Sequence, residues 1–404
     1  MSLQTTAETG RAMPNSNSYL LPALAFGVPL GLYTLFLGLS AIPSCQRSFL
    51  YAHKISTLLW NDVNQPESWG FAKNQVTPFS LTTVDNQTLY AWHILPLPLY
   101  AQHEETFAAQ PSGLCGDITQ TENFKLLRDD PTSRLIITFH GNAGHIAQAI
   151  RPAHYHSLTD TSSFHVLTID YRGFGHSTGT PTEAGLIIDA TTVINWAMTV
   201  AKVPADRILL VGHSLGTAVA SAAMEYFADE GVDFAGVVLI SPFSSLPEML
   251  SGYAIAGWVP VLAPLRAWPW LLKTGMGLVV DKWMSADRLR AAVKTVRGRG
   301  GRLRLSLVHA RNDWDIPCVE DDKIFRAAVE GLGGSVSEEE EFEAEKKARM
   351  VARGEDAFVA TWTDGDVVLR QELVPYGGHN DVAYSAPVVV AIMRSFGLGD
   401  ETDV

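Results

Sequence analysis

The apolar run Ile208-Leu209-Leu210-Val211 passes directly into Gly212-His213-Ser214-Leu215-Gly216, and the helix-like stretch Thr217 to Ala228 follows at once. A chain can satisfy that order in few ways. A buried strand must end in a sharp turn, and a helix must start within two residues of it. Glycines on both sides permit the turn, so the serine hydroxyl stands exposed at the strand's end with a helix N-terminus behind it. Backbone N–H groups beside such a serine can stabilise a developing oxyanion, which suits acyl transfer.

A second G-x-S-x-G occurs at Gly175-His176-Ser177-Thr178-Gly179. The strand before it, His165 to Asp170, ends several residues too early. Thr180, Pro181 and Thr182 follow where a helix is needed, and Pro181 suits a loop or a later first turn. Ser177 is therefore expected in a loop, and Ser214 is the candidate nucleophile.

Around Ser214 the chain alternates strand-like and helix-like runs, which predicts an α/β fold with a mostly parallel central sheet and helices on both faces. Phe79–Thr83 and Thr88–His93 read as an opening antiparallel pair joined at Asp85-Asn86. Leu99 to Arg128 reads as a polar, irregular insertion. Arg134–Phe139, His165–Asp170, Ile208–Val211, Gly236–Ile240, Arg304–His309 and Val367–Val374 read as the remaining strands. Open α/β sheets place their ligands at strand C-terminal ends. The charge-dense run from Glu338 to Lys347 reads as a solvated helix or disordered insertion.

The chain has 404 residues, 47% of them apolar, and a formal net charge of −13. That length allows one large α/β domain with insertions. The acidic balance and the lack of an extended basic stripe exclude nucleic acid as an expected partner. Lys294, Arg297, Arg299, Arg302 and Arg304 form a local cluster, read as a solvated loop and strand edge. The three cysteines, Cys45, Cys115 and Cys318, are too few and scattered for a disulfide framework. No Cys/His cluster has zinc-ligand spacing, and neither a Walker loop nor a dinucleotide fingerprint occurs, so no metal and no nucleotide cofactor are expected.

Leu20 to Ile42 carries no charged side chain, and the uncharged stretch extends from Ala12 to Gln46. About 20 apolar residues suffice to span a bilayer core. Pro22, Pro29 and three glycines weaken the helix, but membrane helices tolerate them. A cleaved signal usually has a shorter apolar run, and a buried core helix would have a polar face. The expectation is an uncleaved transmembrane signal anchor at about residues 19–43, after a tail at 1–18. Arg11 on one side and Arg47 and Lys54 on the other leave the orientation open. The sequon Asn86-Gln87-Thr88 would be usable only in a lumenal domain.

An attacking serine needs a base, and the base needs an acid to fix its tautomer. After Ser214 the only histidines are His309 and His379. His379 lies in the glycine-flexed Tyr376-Gly377-Gly378-His379-Asn380 and is the better base. His309 sits at a strand end, where it caps or packs. The acid is expected after the strand ending at Val308. Asp313 comes early in that turn, where a side chain can face back over the strand ends. Asp315 falls two residues later and would cap a helix starting near Pro317. His140-Gly141-Asn142 ends another strand, so the backbone N–H of Asn142 is expected to join that of Leu215 in an oxyanion hole.

His140-Gly-Asn-Ala-Gly144, Asp170-Tyr-Arg-Gly-Phe-Gly175, Gly212-His-Ser-Leu-Gly216, Ser241-Pro-Phe243, His309-x-x-x-Asp313 and His379 together resemble the membrane-anchored α/β-hydrolase-domain lipases, of monoacylglycerol and lysophosphatidylserine lipase type. The resemblance spans roughly residues 75 to 395. It implies an α/β-hydrolase fold in residues 44–404, with Ser214 as nucleophile, Asp313 as acid and His379 as base. It also implies a single-pass enzyme of the endoplasmic-reticulum membrane that cleaves single-chain lipid esters. Similar proteins remove palmitate from cysteines, so a thioesterase stays an alternative. A serine peptidase and a non-catalytic membrane scaffold are weaker ones. Residues 245–290, with Trp258, Trp268, Trp270 and Trp283, fall where such folds insert a lid, and a charged insertion is expected at 333–356. The lid's apolar residues suit an acyl-chain shelter beside the bilayer, and equally suit packing against the sheet. The expected partners are a lipid ester and the bilayer, with no obligate protein.

Overall fold

In the computed structural model, residues 17–252, 254–255, 259–333 and 339–398 are described. The expected tail up to residue 16 with Arg11, together with Trp258 and Glu338, lies outside them. The apolar segment forms helix α1 (Asn17–Ser40), and α2 (Pro43–Tyr51) follows after a short turn. Among the described residues no single helix is long and apolar enough to cross a membrane. Gly27–Ser40 and Pro43–Tyr51 meet that measure only as a pair bent by 98°.

Strands β1 (Val76–Thr82) and β2 (Thr88–Ile94) form the expected hairpin. The stretch read as an irregular insertion is instead partly helical, as α3 (Leu97–Gln102), α4 (Glu104–Ala109) and α5 (Glu122–Asp129). Its few large residues explain the difference. Tyr100, Phe107, Phe124 and Leu127 are buried, and each short helix is held by that anchor rather than by a continuous apolar face.

Next come β3 (Arg134–Phe139), α6 (Arg151–Thr159), β4 (Phe164–Ile169), α7 (Glu183–Thr199), β5 (Ile208–His213), α8 (Leu215–Asp229) and β6 (Gly236–Ile240). The described residues between 246 and 277 include α9 (Leu246–Gly252), a short hairpin of β7 (Ala254–Ile255) and β8 (Val259–Pro260), and α10 (Pro269–Gly277). The end of the expected lid region, α11 (Ser285–Gly298), packs on α8 and on α12 (Val319–Gly331) as a sheet-covering helix. The chain continues with β9 (Leu303–Ala310), α13 (Glu339–Arg349), β10 (Val351–Ala352), β11 (Phe358–Asp364), β12 (Val367–Val374), α14 (Gly378–Asp381) and α15 (Ala386–Ser395).

Ten strands form one sheet in the order β1-β2-β4-β3-β5-β6-β9-β12-β11-β10. The six from β4 to β12 are parallel, and the strands at both edges are antiparallel. The central strands are buried on both faces, which is why Leu135–Ile137 and Ile208–Val211 read as unbroken apolar runs. One core cluster lies on each face of the sheet. Strands β10 and β11 escape a reading based on apolar runs, because β11 carries polar residues at Thr361, Thr363 and Asp364.

The charge-dense segment is not wholly solvated. One face of α13 buries Phe342 against Trp362, ring centroids 5.9 Å apart, and the ammonium of buried Lys346 bonds Asp322. In the basic cluster, Arg297 pairs with Asp364 and Arg299 bonds Asp233 and the Val232 carbonyl. Arg304 donates to the Arg394 carbonyl.

Candidate active site

Ser214 lies between the end of β5 and the start of α8, with φ 54° and ψ −122°, a conformation disfavoured for a residue with a side chain. Tight packing around the turn imposes it. A Cβ on Gly216 would stand 1.9 Å from the Phe139 carbonyl oxygen, so α8 can start against β3 only with glycine there. The Ser214 N–H donates to the Ile240 carbonyl at 3.0 Å, which ties the turn to the end of β6.

Three loops at the strand C-terminal ends bring the expected residues together. His379 Nε2 lies 2.9 Å from Ser214 Oγ, and His379 Nδ1 lies 2.9 Å from Asp313 Oδ2. That pattern suits an Nδ1–H tautomer with Nε2 free to accept the serine proton. Gly377 and Gly378, both with positive φ, turn the chain into α14, and the Gly378 N–H donates to Asn312 Oδ1 at 2.8 Å. The acid loop and the histidine loop are thereby joined. His213 adds a further tie, Nε2 to the His379 carbonyl at 2.8 Å.

Asp313, rather than Asp315, faces the histidine. Asp313 Oδ1 accepts the N–H groups of Asp315 and Ile316 at 3.0 and 2.9 Å, leaving Oδ2 for His379. Burial alone would raise its pKa, but the hydrogen bonds from His309 and His379 outweigh burial and hold it well below the usual carboxylate range. The cap expected of Asp315 is not made. Helix α12 begins at Val319 after Cys318 without a side-chain cap, because the turn has already been closed on Asp313.

The loop after β3 runs against the serine, and a Cβ on Gly141 would stand 3.3 Å from Ser214 Cβ. Asn142 N–H donates to no acceptor among the described residues, and Leu215 N–H belongs to the first helical turn, where no intrahelical acceptor exists. The Asn142 side chain turns away, to the Leu50 carbonyl at 3.4 Å. Ser177 sits in a loop, donating to the Asp170 carbonyl at 2.6 Å and accepting from Tyr90 N–H at 2.9 Å.

Several neighbours of the site lack a sequence signal. Arg151 bonds four loop carbonyls, and the Tyr51 carbonyl accepts Ala143 N–H at 2.9 Å. His309 packs as expected, yet its Nε2 also lies 3.3 Å from Asp313 Oδ2, for which the i,i+4 spacing was the only sign. Among the described residues, no group of three or more His, Cys, Asp or Glu side chains is arranged to hold a metal ion.

A cavity of about 770 Å³ lies between the first two helices and residues 246–279. Phe36, Leu37, Phe49, Leu250, Leu265 and Met276 are among its apolar walls. Leu50 and Ala52, which also line it, flank the Tyr51 that touches the loop after β3. Tyr51 OH donates to Asp281 Oδ2 at 3.0 Å, and Arg47 pairs with the same carboxylate, so α2 is fastened to the far wall.

Comparison with known proteins agrees with this arrangement. A model of the alpha/beta hydrolase family matches residues 136–392. Over 142 residues the chain is 39% identical to Protein ABHD12B of Homo sapiens, which covers 35% of this chain and 37% of that protein. Over 220 residues it is 28% identical to the lysophosphatidylserine lipase ABHD12 of Xenopus tropicalis, covering 54% of this chain and 52% of that one. The matches thus span about half, or less, of the length of these relatives. An alpha-beta hydrolase from Vibrio vulnificus shares the fold at a TM-score of 0.53 and 16% identity, over 87% of this chain and 92% of that chain. With its elbow on the central strand of a mostly parallel sheet and its matched region running from β3 into α15, the chain belongs to the alpha/beta hydrolase family.

Proposed function

We propose that this chain is a membrane-bound serine hydrolase that cleaves carboxylic esters of lipids, of the monoacylglycerol or lysophospholipid type. The observation that carries the reading is the hydrogen-bonded line from Asp313 through both nitrogens of His379 to Ser214 Oγ. Ser214 Oγ attacks the acyl carbonyl while its proton passes to His379 Nε2. Asp313 stabilises the imidazolium through Nδ1–H. The N–H groups of Asn142 and Leu215 receive the oxyanion. His379 then protonates the departing glycerol oxygen, and water, activated by the same nitrogen, attacks the acyl-enzyme to release the fatty acid and regenerate Ser214. No metal or cofactor takes part in this sequence.

The cavity supports the choice of substrate. Its size falls within the range of small-ligand pockets, and its apolar walls would take one acyl chain. Helices α9 and α10, with Val261, Leu262 and Leu265, act as the lid over it. The chain's partial relatives named lysophosphatidylserine lipases point to the same substrate class. The apolar segment of α1, followed by α2, serves as the anchor, in the endoplasmic-reticulum membrane.

The test is labelling of the full-length protein in membranes with a fluorophosphonate probe beside Ser214→Ala, followed by turnover of monoacylglycerol, lysophospholipid and acyl-thioester substrates. Labelling of the wild type and none of the variant is expected, with ester turnover exceeding thioester turnover. Equal labelling of both proteins refutes Ser214 as nucleophile, and a preference for thioesters replaces the substrate class.

A further inference from the structure

The loop from Gly141 to His145 has an unusual backbone. Ala143 and Gly144 are consecutive left-handed residues, with φ 61° and 72°. An alanine there is disfavoured on its own, so its surroundings must hold it. Four of the loop's five carbonyls converge on one side chain. Arg151 Nη2 lies 3.0, 2.8 and 2.8 Å from the carbonyl oxygens of Gly141, Asn142 and Ala143, and Nη1 bonds that of His145.

Nothing else in the fold accounts for this arginine. It is the first residue of α6, where a cation opposes the helix dipole, so helix stability does not favour it. No carboxylate among the described residues forms an ion pair with it; Asp170, whose charge acts on it, instead accepts the Ile146 N–H at 2.6 Å. Carbonyls are all that it binds. A peptide whose carbonyl points to Arg151 must point its N–H the other way. For the Gly141–Asn142 peptide that way faces the serine, since a Cβ on Gly141 would stand 3.3 Å from Ser214 Cβ. The next N–H, that of Ala143, is taken by the Tyr51 carbonyl.

We propose that Arg151 is the positioning residue of the oxyanion hole. The guanidinium fork gathers the loop carbonyls on one side, fixes the left-handed turn at Ala143-Gly144, and so aims the Asn142 N–H at the oxygen of an acyl group on Ser214. Its unpaired charge also lies one peptide away from the negative charge that forms in the transition state. A lysine, with one point charge and no fork, cannot serve four carbonyls in this geometry. The inference rests on Ser214 being the nucleophile.

The experiment compares wild type with Arg151→Gln, Arg151→Lys and Arg151→Ala as full-length proteins in detergent micelles, on a short soluble p-nitrophenyl ester. Arg151→Gln is expected to lower kcat about 30-fold with KM within about threefold, as befits a weakened oxyanion donor. The midpoint of the pH profile stays in place, because His379 and Asp313 are untouched. Arg151→Lys recovers part of the loss, and millimolar guanidinium restores part of the activity of Arg151→Ala without changing wild type. A folded Arg151→Gln with kcat within twofold of wild type overturns the proposal. If Arg151→Gln fails to fold, full kcat in Arg151→Lys overturns it equally. Failure of the wild type to take up the fluorophosphonate probe sinks instead the assignment of Ser214 on which the proposal depends.

Discussion

One oxygen of Asp313 faces two histidines. Oδ2 lies 2.9 Å from His379 Nδ1 and 3.3 Å from His309 Nε2, while His309 Nε2 is also 2.9 Å from the Ile316 carbonyl. The acid is therefore braced by a ring on β9, four residues earlier, as well as engaged by the base. On the proposed mechanism, Asp313→Asn should lower kcat by about 10⁴-fold, through the wrong histidine tautomer. Asp315→Asn should stay within about threefold, since only its backbone N–H takes part in the turn. Steady-state kinetics on both variants check this, and equal losses would return the choice of acid to open.

His309 gives a prediction in pH. It is fully buried, and it faces Asp313 on one side and Asp321 Oδ1 at 4.0 Å on the other. Burial lowers its pKa, but the hydrogen bond to Asp313 and the two carboxylates outweigh burial and raise it above the ordinary histidine value. A histidine with a raised folded-state pKa adds stability that is complete below the unfolded value, about 6.5, and is lost as pH rises through the folded value. Wild type should therefore lose Tm above pH ~6.5 more steeply than His309→Gln, and the two curves should converge at high pH. Parallel Tm curves would mean that His309 stays neutral throughout.

Ser214 and Ser177, the two serines in G-x-S-x-G motifs, should separate cleanly. Ser177→Ala removes a half-buried donor and acceptor and should cost about 1 kcal/mol of stability while leaving fluorophosphonate labelling intact. Ser214→Gly should abolish labelling and yet raise Tm, because glycine relieves the strain at φ 54° and ψ −122°. Thermal melts beside gel-based labelling read both effects. A lower Tm in Ser214→Gly would show that the elbow's strain is not a stability cost.

The difference between these serines was legible in the sequence because it depends on local chain order. An apolar strand must abut the motif and a helix must follow it, and both rules act within a few residues. The same locality made His379 and Asp313 readable, since each follows a strand that had to end at the same edge of the sheet. Arg151 and Tyr51 were not readable. Their roles arise from where α6 and α2 land on a loop, and a guanidinium that binds carbonyls leaves no pattern of residue types. The region from Leu99 to Arg128 failed for another reason. Short helices pinned by single aromatics such as Phe107 and Phe124 lack the repeated apolar spacing on which a helix reading depends.

The segment that carries the proposed anchor divides into two parts with different consequences. Helix α1 touches residues 246–279, for example through Tyr33 OH to the Val261 carbonyl at 3.0 Å, but forms no hydrogen bond to the Ser214 loops among the described residues. The end of α2 does reach them, because the Tyr51 carbonyl takes Ala143 N–H and the Leu50 carbonyl takes the Asn142 side chain. The Tyr51 ring is fully buried, and its hydroxyl accepts from Trp283 Nε1 at 3.3 Å and donates to Asp281. Loss of that aromatic anchor would remove a few kcal/mol of burial and leave Asp281 with fewer partners. Deletion of residues 1–42 should therefore release the protein from membranes and impair long-chain substrates, which use Phe36 and Leu37 as cavity wall, while short soluble esters are turned over within about threefold of wild type. Deletion of residues 1–56 should cut short-ester kcat by tenfold or more, since the loop beside Ser214 loses its outer support. Membrane fractionation with kcat on a short and a long ester distinguishes the two deletions. Equal short-ester activity in both would show that α2 carries no part of the site.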